Sequence, residues 1–168
     1  MRHFVSKKQI RSLYFAFIQP YVDYGLINWG SAPGHLLSMI KRKLEKAVRI
    51  MHFKKKNEMC TNLFKECNIL DFDRYYKYSM SNFMWKFSNG ITPAGINFLF
   101  KVKIQVYETG LGNTLNYVIP NVRLEMTKRG MGYRGALIWR GVPNHIKLSK
   151  SINSFKQLYK KHLLSELQ

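Results

Sequence analysis

The chain has 168 residues, of which 46% are hydrophobic, and it carries 28 lysines and arginines against 9 aspartates and glutamates. The apolar fraction allows a packed core and excludes a disordered tail, whereas the formal net charge of +19 repels itself in a compact state. This charge predicts a polyanionic partner. RNA, DNA or an RNA–DNA duplex bound through its phosphates comes first, and an anionic membrane surface comes second.

Cysteine and histidine are too sparse to indicate a disulfide framework or a metal centre. Cys60 and Cys67 are seven positions apart, about 10 Å along a helix, which is too far for one disulfide bond. The five histidines are scattered and no CxxC motif occurs. We therefore expect two reduced, buried thiols, no metal and no cofactor.

The first residues resemble neither a signal peptide nor a membrane span. The most apolar early run, residues 13–18, is far shorter than the roughly 20 residues that a transmembrane helix needs. We expect an intracellular protein, in the cytoplasm and/or the nucleus, with no transmembrane segment.

The first predicted helix begins at Ser6, because Ser6 and Gln9 have the spacing of a capping box. Pro20 is expected to kink this helix or to end its first half. Apolar side chains recur at helical spacing, at Ile10, Leu13, Tyr14, Phe17, Ile18 and Tyr21.

The second predicted helix, residues 35–52, is both amphipathic and basic. Its apolar stripe comprises Leu37, Ile40, Leu44, Ala47, Val48 and Met51. The candidate phosphate-binding residues on its other face and in the following loop are Lys41, Arg42, Lys43, Lys46, Arg49, Lys54, Lys55 and Lys56. A solvated lysine-rich surface is the alternative, but Glu45 is the only acid on that face, which favours phosphate contacts.

A short helix is predicted from Asn57, and a longer one runs from about Asp71 to an Asn-Gly stop at residues 89–90. Asp71 and Asp73 could hold metal ions for phosphoryl chemistry. Because Asp71 directly precedes a helical pattern, we interpret it as a helix cap instead. No Asp-Asp pair, nucleophile motif or phosphate loop occurs, so no catalytic residue is predicted.

After Pro93 the pattern changes. Residues 102–106 alternate between apolar and polar side chains and predict a strand, residues 117–127 are expected to be extended, and residues 152–167 form an amphipathic helix. The predicted fold is mainly α. A helical bundle over residues 1–92 is followed by a small α+β region over residues 93–168.

Residues 130–135 spell GxGxxG, the pattern of a dinucleotide-binding turn. That turn needs an apolar strand before it, a long helix after it and an acid about 20 residues later. Here the preceding residues are mostly polar, Pro143 interrupts the following segment, and no acid follows until Glu166. We reject the dinucleotide site and interpret Gly130, Gly132 and Gly135 as turn residues.

Several motifs follow one another along nearly the whole chain. Residues 13–25 read LYFAFIQPYVDYG and residues 28–30 read NWG, while LEKAVRI and LFKECNIL occupy residues 44–50 and 63–70. YRG, IW and SFK follow near the end, at residues 133–135, 138–139 and 154–156. This series resembles the region after the palm in reverse transcriptases of non-LTR (LINE-like) retrotransposons. Arg140 and Gly110 depart from that family's pattern, in which Asn and Arg are usual.

The resemblance implies that the chain is the thumb and adjoining C-terminal region of an RNA-directed DNA polymerase. The palm and fingers, upstream of Met1, would be missing partners, and the chain would have no enzymatic activity on its own. A thumb-like bundle would track the template–primer duplex. Phe15 and Val22, on the polar side of the first helix, are then expected to form an exposed seam for the palm.

Two other functions stay open at this point. The chain could be a basic scaffold or membrane-surface protein that uses its amphipathic helices. It could also be a complete enzyme with an unrecognised site, but the missing catalytic constellation argues against this.

Overall fold

The computed structural model describes residues 5–54, 61–100 and 116–166. These residues are mainly helical, which confirms the predicted fold class, and no β-strand occurs among them. The predicted strand at residues 102–106 lies outside the described residues. No helix in the described part of the chain is both long enough and apolar enough to cross a membrane.

The chain divides into two compact units. The first unit comprises Met1–Tyr76 and His162–Gln168, and the second comprises Lys77–Lys161. This division differs from the predicted boundary between residues 92 and 93, which stays a prediction about domains.

The first unit begins with a helix that a π-helical turn interrupts. Helix α1 (Lys7–Leu13) starts at the predicted capping box, in which the Ser6 hydroxyl accepts the Gln9 N–H at 3.3 Å and Gln9 Oε1 accepts the Ser6 N–H at 2.9 Å. The π-helical turn Tyr14–Ile18 leads into α2 (Gln19–Asp23). Pro20 lies in the first turn of α2, directly after the π-helical turn. Helix α3 (Leu26–Trp29) follows.

The π-helical turn decides which side chains of this segment are exposed, because i→i+5 bonding adds a residue to the turn. Val22 is only 8% exposed, so the predicted seam is wrong at this residue. Phe15 is 38% exposed, with the Arg11 guanidinium 4.8 Å from its ring centre. Three other exposed apolar side chains of this segment follow one another at four-residue spacing. They are Leu13, Phe17 and Tyr21, which we call the N-terminal stripe.

The core of the first unit forms around α4 (Gly34–Met51), which packs beside α1 and α5 (Thr61–Glu66). Helix α4 buries four side chains at helical spacing, namely Leu37, Leu44, Val48 and Met51. These match the predicted apolar stripe, because an amphipathic helix turns its apolar side towards the core.

Helix α6 (Phe72–Ser88) starts and ends as predicted. Asp71 caps it, since its Oδ1 accepts the Arg74 N–H at 2.8 Å. Gly90 follows its end in the left-handed region, at φ +67°. At its start, the Phe72 ring lies 5.6 Å from the ring of Trp29.

The second unit has an aromatic core. A 3₁₀ helix (Ala94–Leu99) precedes α7 (Glu125–Lys128), α8 (Met131–Arg140) and α9 (Asn144–Lys147). Helix α10 (Ile152–Ser165) belongs to this unit as far as Lys161. The fully buried Phe155 ring lies 6.1 Å from the ring of Trp85 and 6.0 Å from that of Trp139. Such close ring pairs add to the stabilisation that burial provides.

The predicted extended stretch is correct only in part. Residues 117–124 are non-helical, with a single bridge at Tyr117, but residues 125–127 belong to α7. Glu125 lies in the first turn of α7, where the helix dipole favours an acid, and Lys128 pairs with it at 2.7 Å.

The interpretation of the glycines at residues 130–135 as turn residues is wrong for Gly132 and Gly135, which lie inside α8, whereas Gly130 is the non-helical residue before this helix. A Cβ at Gly132 would come within 2.9 Å of the Leu99 carbonyl oxygen. At Gly135 it would come within 2.8 Å of the Phe100 ring and 3.0 Å of the Met84 sulfur. These glycines allow close packing of the helix. A helix, α7, precedes them where a dinucleotide site has a strand, which agrees with the rejection of that site.

We expect Gly135→Ala to lower the free energy of unfolding. Overpacking a core costs roughly 1–3 kcal/mol, which outweighs the gain of about 1 kcal/mol that alanine gives in a helix. The matched control is Gly34→Ala at the start of α4, where no atom lies within 4 Å of the added Cβ. Denaturant unfolding measures both variants, and equal stability of the two would contradict the close packing at Gly135.

Candidate nucleic-acid interface

The basic face of α4 is held in place by the burial of its apolar stripe. With Leu37, Leu44 and Val48 in the core, the orientation of α4 about its axis is set, and each cation has a defined position. The structure divides the predicted phosphate-binding residues into cations that are engaged within the first unit and cations that are exposed.

Two of the predicted residues are engaged with acids. Lys41 Nζ lies 2.6 Å from Asp73 Oδ2 and 5.7 Å from the centre of the Phe72 ring. Arg49 Nη2 lies 3.2 Å from Glu45 Oε2, one helical turn away, and the Arg49 side chain is only 20% exposed. Both cations are partly neutralised and are less available to a phosphate.

Three residues form an exposed cluster, Arg42, Lys43 and Lys46, which we call the α4 cation cluster. The Arg42 guanidinium donates to the Ser38 carbonyl at 3.2 Å, so the Arg42 side chain lies along the preceding helical turn. None of the three forms an ion pair with an acid in residues 5–54, 61–100 or 116–166. Like charges this close together favour the binding of an anion.

The remaining predicted residues follow α4. Lys54 is exposed. Lys55 and Lys56 lie outside the described residues, so the structure places only part of the predicted basic loop.

Apolar side chains that were not predicted as part of the site share the outer face of α4 with these cations. Leu36 is 49% exposed, Met39 57% and Ile50 39%. With Lys43 and Lys46 they follow a spacing of three and four residues, which places them on one side of the helix. Their recurrence at helical spacing, on a different side of α4 from the buried stripe, is the sequence pattern that could have predicted them.

The two aspartates of the Asp-Phe-Asp sequence make contacts that stabilise the fold. Asp71 caps α6 and pairs with Arg74, while Asp73 pairs with Lys41. Within the described ranges, no group of three or more histidines, cysteines, aspartates or glutamates is arranged to hold a metal ion.

No protein-family model, no curated protein and no solved structure matches this chain. The resemblance to non-LTR reverse transcriptases therefore stays a prediction from the motifs.

Proposed function

We propose that the chain is a nucleic-acid-binding C-terminal fragment of a retrotransposon reverse transcriptase, and that the α4 cation cluster contacts phosphates of RNA, DNA or an RNA–DNA duplex. The observation that carries this proposal is the exposure of Arg42, Lys43 and Lys46 without an acidic partner in the described part of the chain. The buried stripe of α4 supports it, because a rigid helix presents these cations without a large ordering cost. The cytoplasm and the nucleus, where RNA and DNA occur, are the proposed locations.

Contacts of this kind bring affinity without sequence preference. Lysine and arginine bind phosphates through charge, and phosphates carry no base information. Binding is accompanied by the release of condensed counterions, so affinity falls steeply with salt. A fragment that tracks a duplex of any sequence needs contacts that do not depend on the bases. Phosphate contacts meet this need, and their steep salt dependence is the property that a binding experiment can measure.

We expect binding to an RNA–DNA duplex to depend on salt through about three phosphate contacts. The slope of log affinity against log salt should be roughly −2.7, a loss of about fortyfold between about 50 and 200 mM salt. Lys43→Gln with Lys46→Gln should reduce the steepness of the slope by about 2. Fluorescence anisotropy over a salt series measures both values.

The matched control carries the same charge change on exposed lysines of α6, Lys77→Gln with Lys86→Gln. It should leave the slope close to that of the unchanged chain. If the control lowers affinity and slope as much as the α4 variant does, binding reflects overall charge, and the assignment to α4 fails.

We propose further that the chain has no polymerase activity by itself. Polymerases of the resembled family hold metal ions on palm carboxylates, whereas Asp71 and Asp73 here are tied to α6 and to Lys41. We expect no primer extension by the purified chain with Mg²⁺ or Mn²⁺. Extension that dideoxynucleotides terminate and that Asp71→Asn with Asp73→Asn abolishes would overturn this expectation.

The N-terminal stripe is the proposed contact with the palm and fingers of the parent polymerase. Its side chains are large, apolar and 51 to 82% exposed, and exposed apolar patches mark interaction surfaces more often than they serve a monomer. The stripe replaces Phe15 and Val22 as the predicted contact with the palm.

We expect Phe17→Ser with Tyr21→Ser to reduce self-association of the isolated chain at unchanged helix content. Phe15→Ser with Val22→Thr should instead lower stability, because a hydroxyl at residue 22 would be buried. Sedimentation velocity and thermal unfolding followed by circular dichroism distinguish these effects. Self-association that persists in the first variant would contradict the role of the stripe.

A basic scaffold or membrane-surface protein is the second candidate. The observation in its favour is the mixture of Leu36, Met39 and Ile50 with lysines on the outer face of α4, because apolar and basic side chains together suit an anionic bilayer. Binding to anionic vesicles with no binding to the duplex would select this candidate over the first.

A further inference from the structure

Three titratable side chains meet where α4 and α5 end. His52 follows α4, and Glu66 and Cys67 stand at and just after the end of α5. The His52 ring places Nε2 2.9 Å from Cys67 Sγ and Nδ1 3.3 Å from Glu66 Oε2. Both nitrogens of a side chain that is only 8% exposed are therefore engaged.

In a neutral His52 ring one nitrogen donates and the other accepts, and the two contacts indicate which is which. Glu66 is 61% exposed, and as a carboxylate it can only accept, so Nδ1–H donates to it. The other ring nitrogen, Nε2, is then an acceptor, and the Cys67 thiol donates to it. A nucleophile beside a base that a third group orients is the arrangement that activates cysteine and serine nucleophiles.

Backbone contacts hold the thiol in this position. Cys67 N–H donates to the Leu63 carbonyl at 3.1 Å, and Arg11 Nε donates to the Cys67 carbonyl at 2.9 Å. His52 N–H donates to the Val48 and Arg49 carbonyls at the end of α4. Cys67 itself is half-buried and carries a free thiol, so part of its surface is open to a small molecule.

We propose that Cys67 is a site of covalent modification by small uncharged electrophiles, with His52 as the general base and Glu66 as the residue that positions it. The sulfur forms a bond to the electrophilic carbon while the bond from that carbon to its leaving group breaks. The thiol proton passes to His52 Nε2, and the Glu66 carboxylate stabilises the resulting imidazolium.

A base is needed because of the surroundings of the thiol. Burial raises the pKa of Cys67; Arg11 and Lys7 act against this rise and Glu66 adds to it. The thiol is therefore mostly protonated near neutral pH, and the thiolate is the reactive form. Transfer of the proton to His52 during attack removes this obstacle.

The contacts of His52 with Glu66 and Cys67 could instead serve only to link α4 to α5. The rate at which Cys67 is alkylated distinguishes this structural role from the role of His52 as a general base. Loss of a structural tie would expose Cys67 and leave its alkylation unchanged or faster. Loss of a general base would make alkylation slower although the thiol is more accessible.

The experiment uses the full chain with Cys60→Ser, so that Cys67 is the single reactive thiol. Iodoacetamide, a small uncharged electrophile, is added near neutral pH, and mass spectrometry of the Cys67 peptide follows the rate. We expect His52→Gln to slow alkylation by at least about tenfold. Glu66→Gln should slow it by a smaller factor, because removal of this carboxylate also lowers the pKa of Cys67. His35→Gln, an exposed histidine at the other end of α4, is the matched control and should have no effect.

Circular dichroism establishes that each variant is folded before its rate is compared. An unchanged or faster rate in folded His52→Gln overturns the proposal. If His52→Gln does not fold, Glu66→Gln decides, because Glu66 is mostly exposed. An unchanged rate in that variant overturns the proposal equally. Neither result bears on nucleic-acid binding, which the duplex measurements test separately.

Discussion

The burial of one side of α4 controls the first unit and its charged surface. Leu37, Leu44, Val48 and Met51 all lie in the core, and each such side chain contributes roughly 1.5–3 kcal/mol when it is removed from water. A rotation of α4 by one residue, about 100°, would forfeit most of this burial. The helix therefore has a single orientation, in which Lys41 and Arg49 reach acids while the α4 cation cluster faces outwards.

The helices that the sequence predicts well are those whose signals are local. Helix α4 was expected at residues 35–52 and occupies Gly34–Met51, and the Asp71 cap and the Gly90 stop bound α6. Each signal lies within a few residues of what it determines. The first segment behaves differently, because side-chain spacing does not reveal whether its backbone bonds run from i to i+4 or to i+5. The π-helical turn Tyr14–Ile18 therefore changed which residues are buried.

Other features depend on residues far apart in the chain, which no local pattern reports. Asp73 is 32 positions from Lys41, and this pairing removes Lys41 from the exposed cations. Gly135 packs against Met84 and Phe100, so its role is visible only once these side chains are brought to α8. The sequence could thus predict a basic face on α4, but not which of its cations would stay available.

The acids of the chain show why this availability matters. Every acid in the described residues already has a hydrogen-bonding or ionic partner within the first or the second unit: Asp23, Glu45, Glu66, Asp71, Asp73, Glu125 and Glu166. The chain has only 9 acids against 28 lysines and arginines, so these contacts leave most of the cationic charge without compensation. Mutual repulsion of that charge disfavours the compact state, and a bound polyanion relieves it. The same charge excess that destabilises the isolated chain would therefore provide part of the driving force for the proposed binding to nucleic acid.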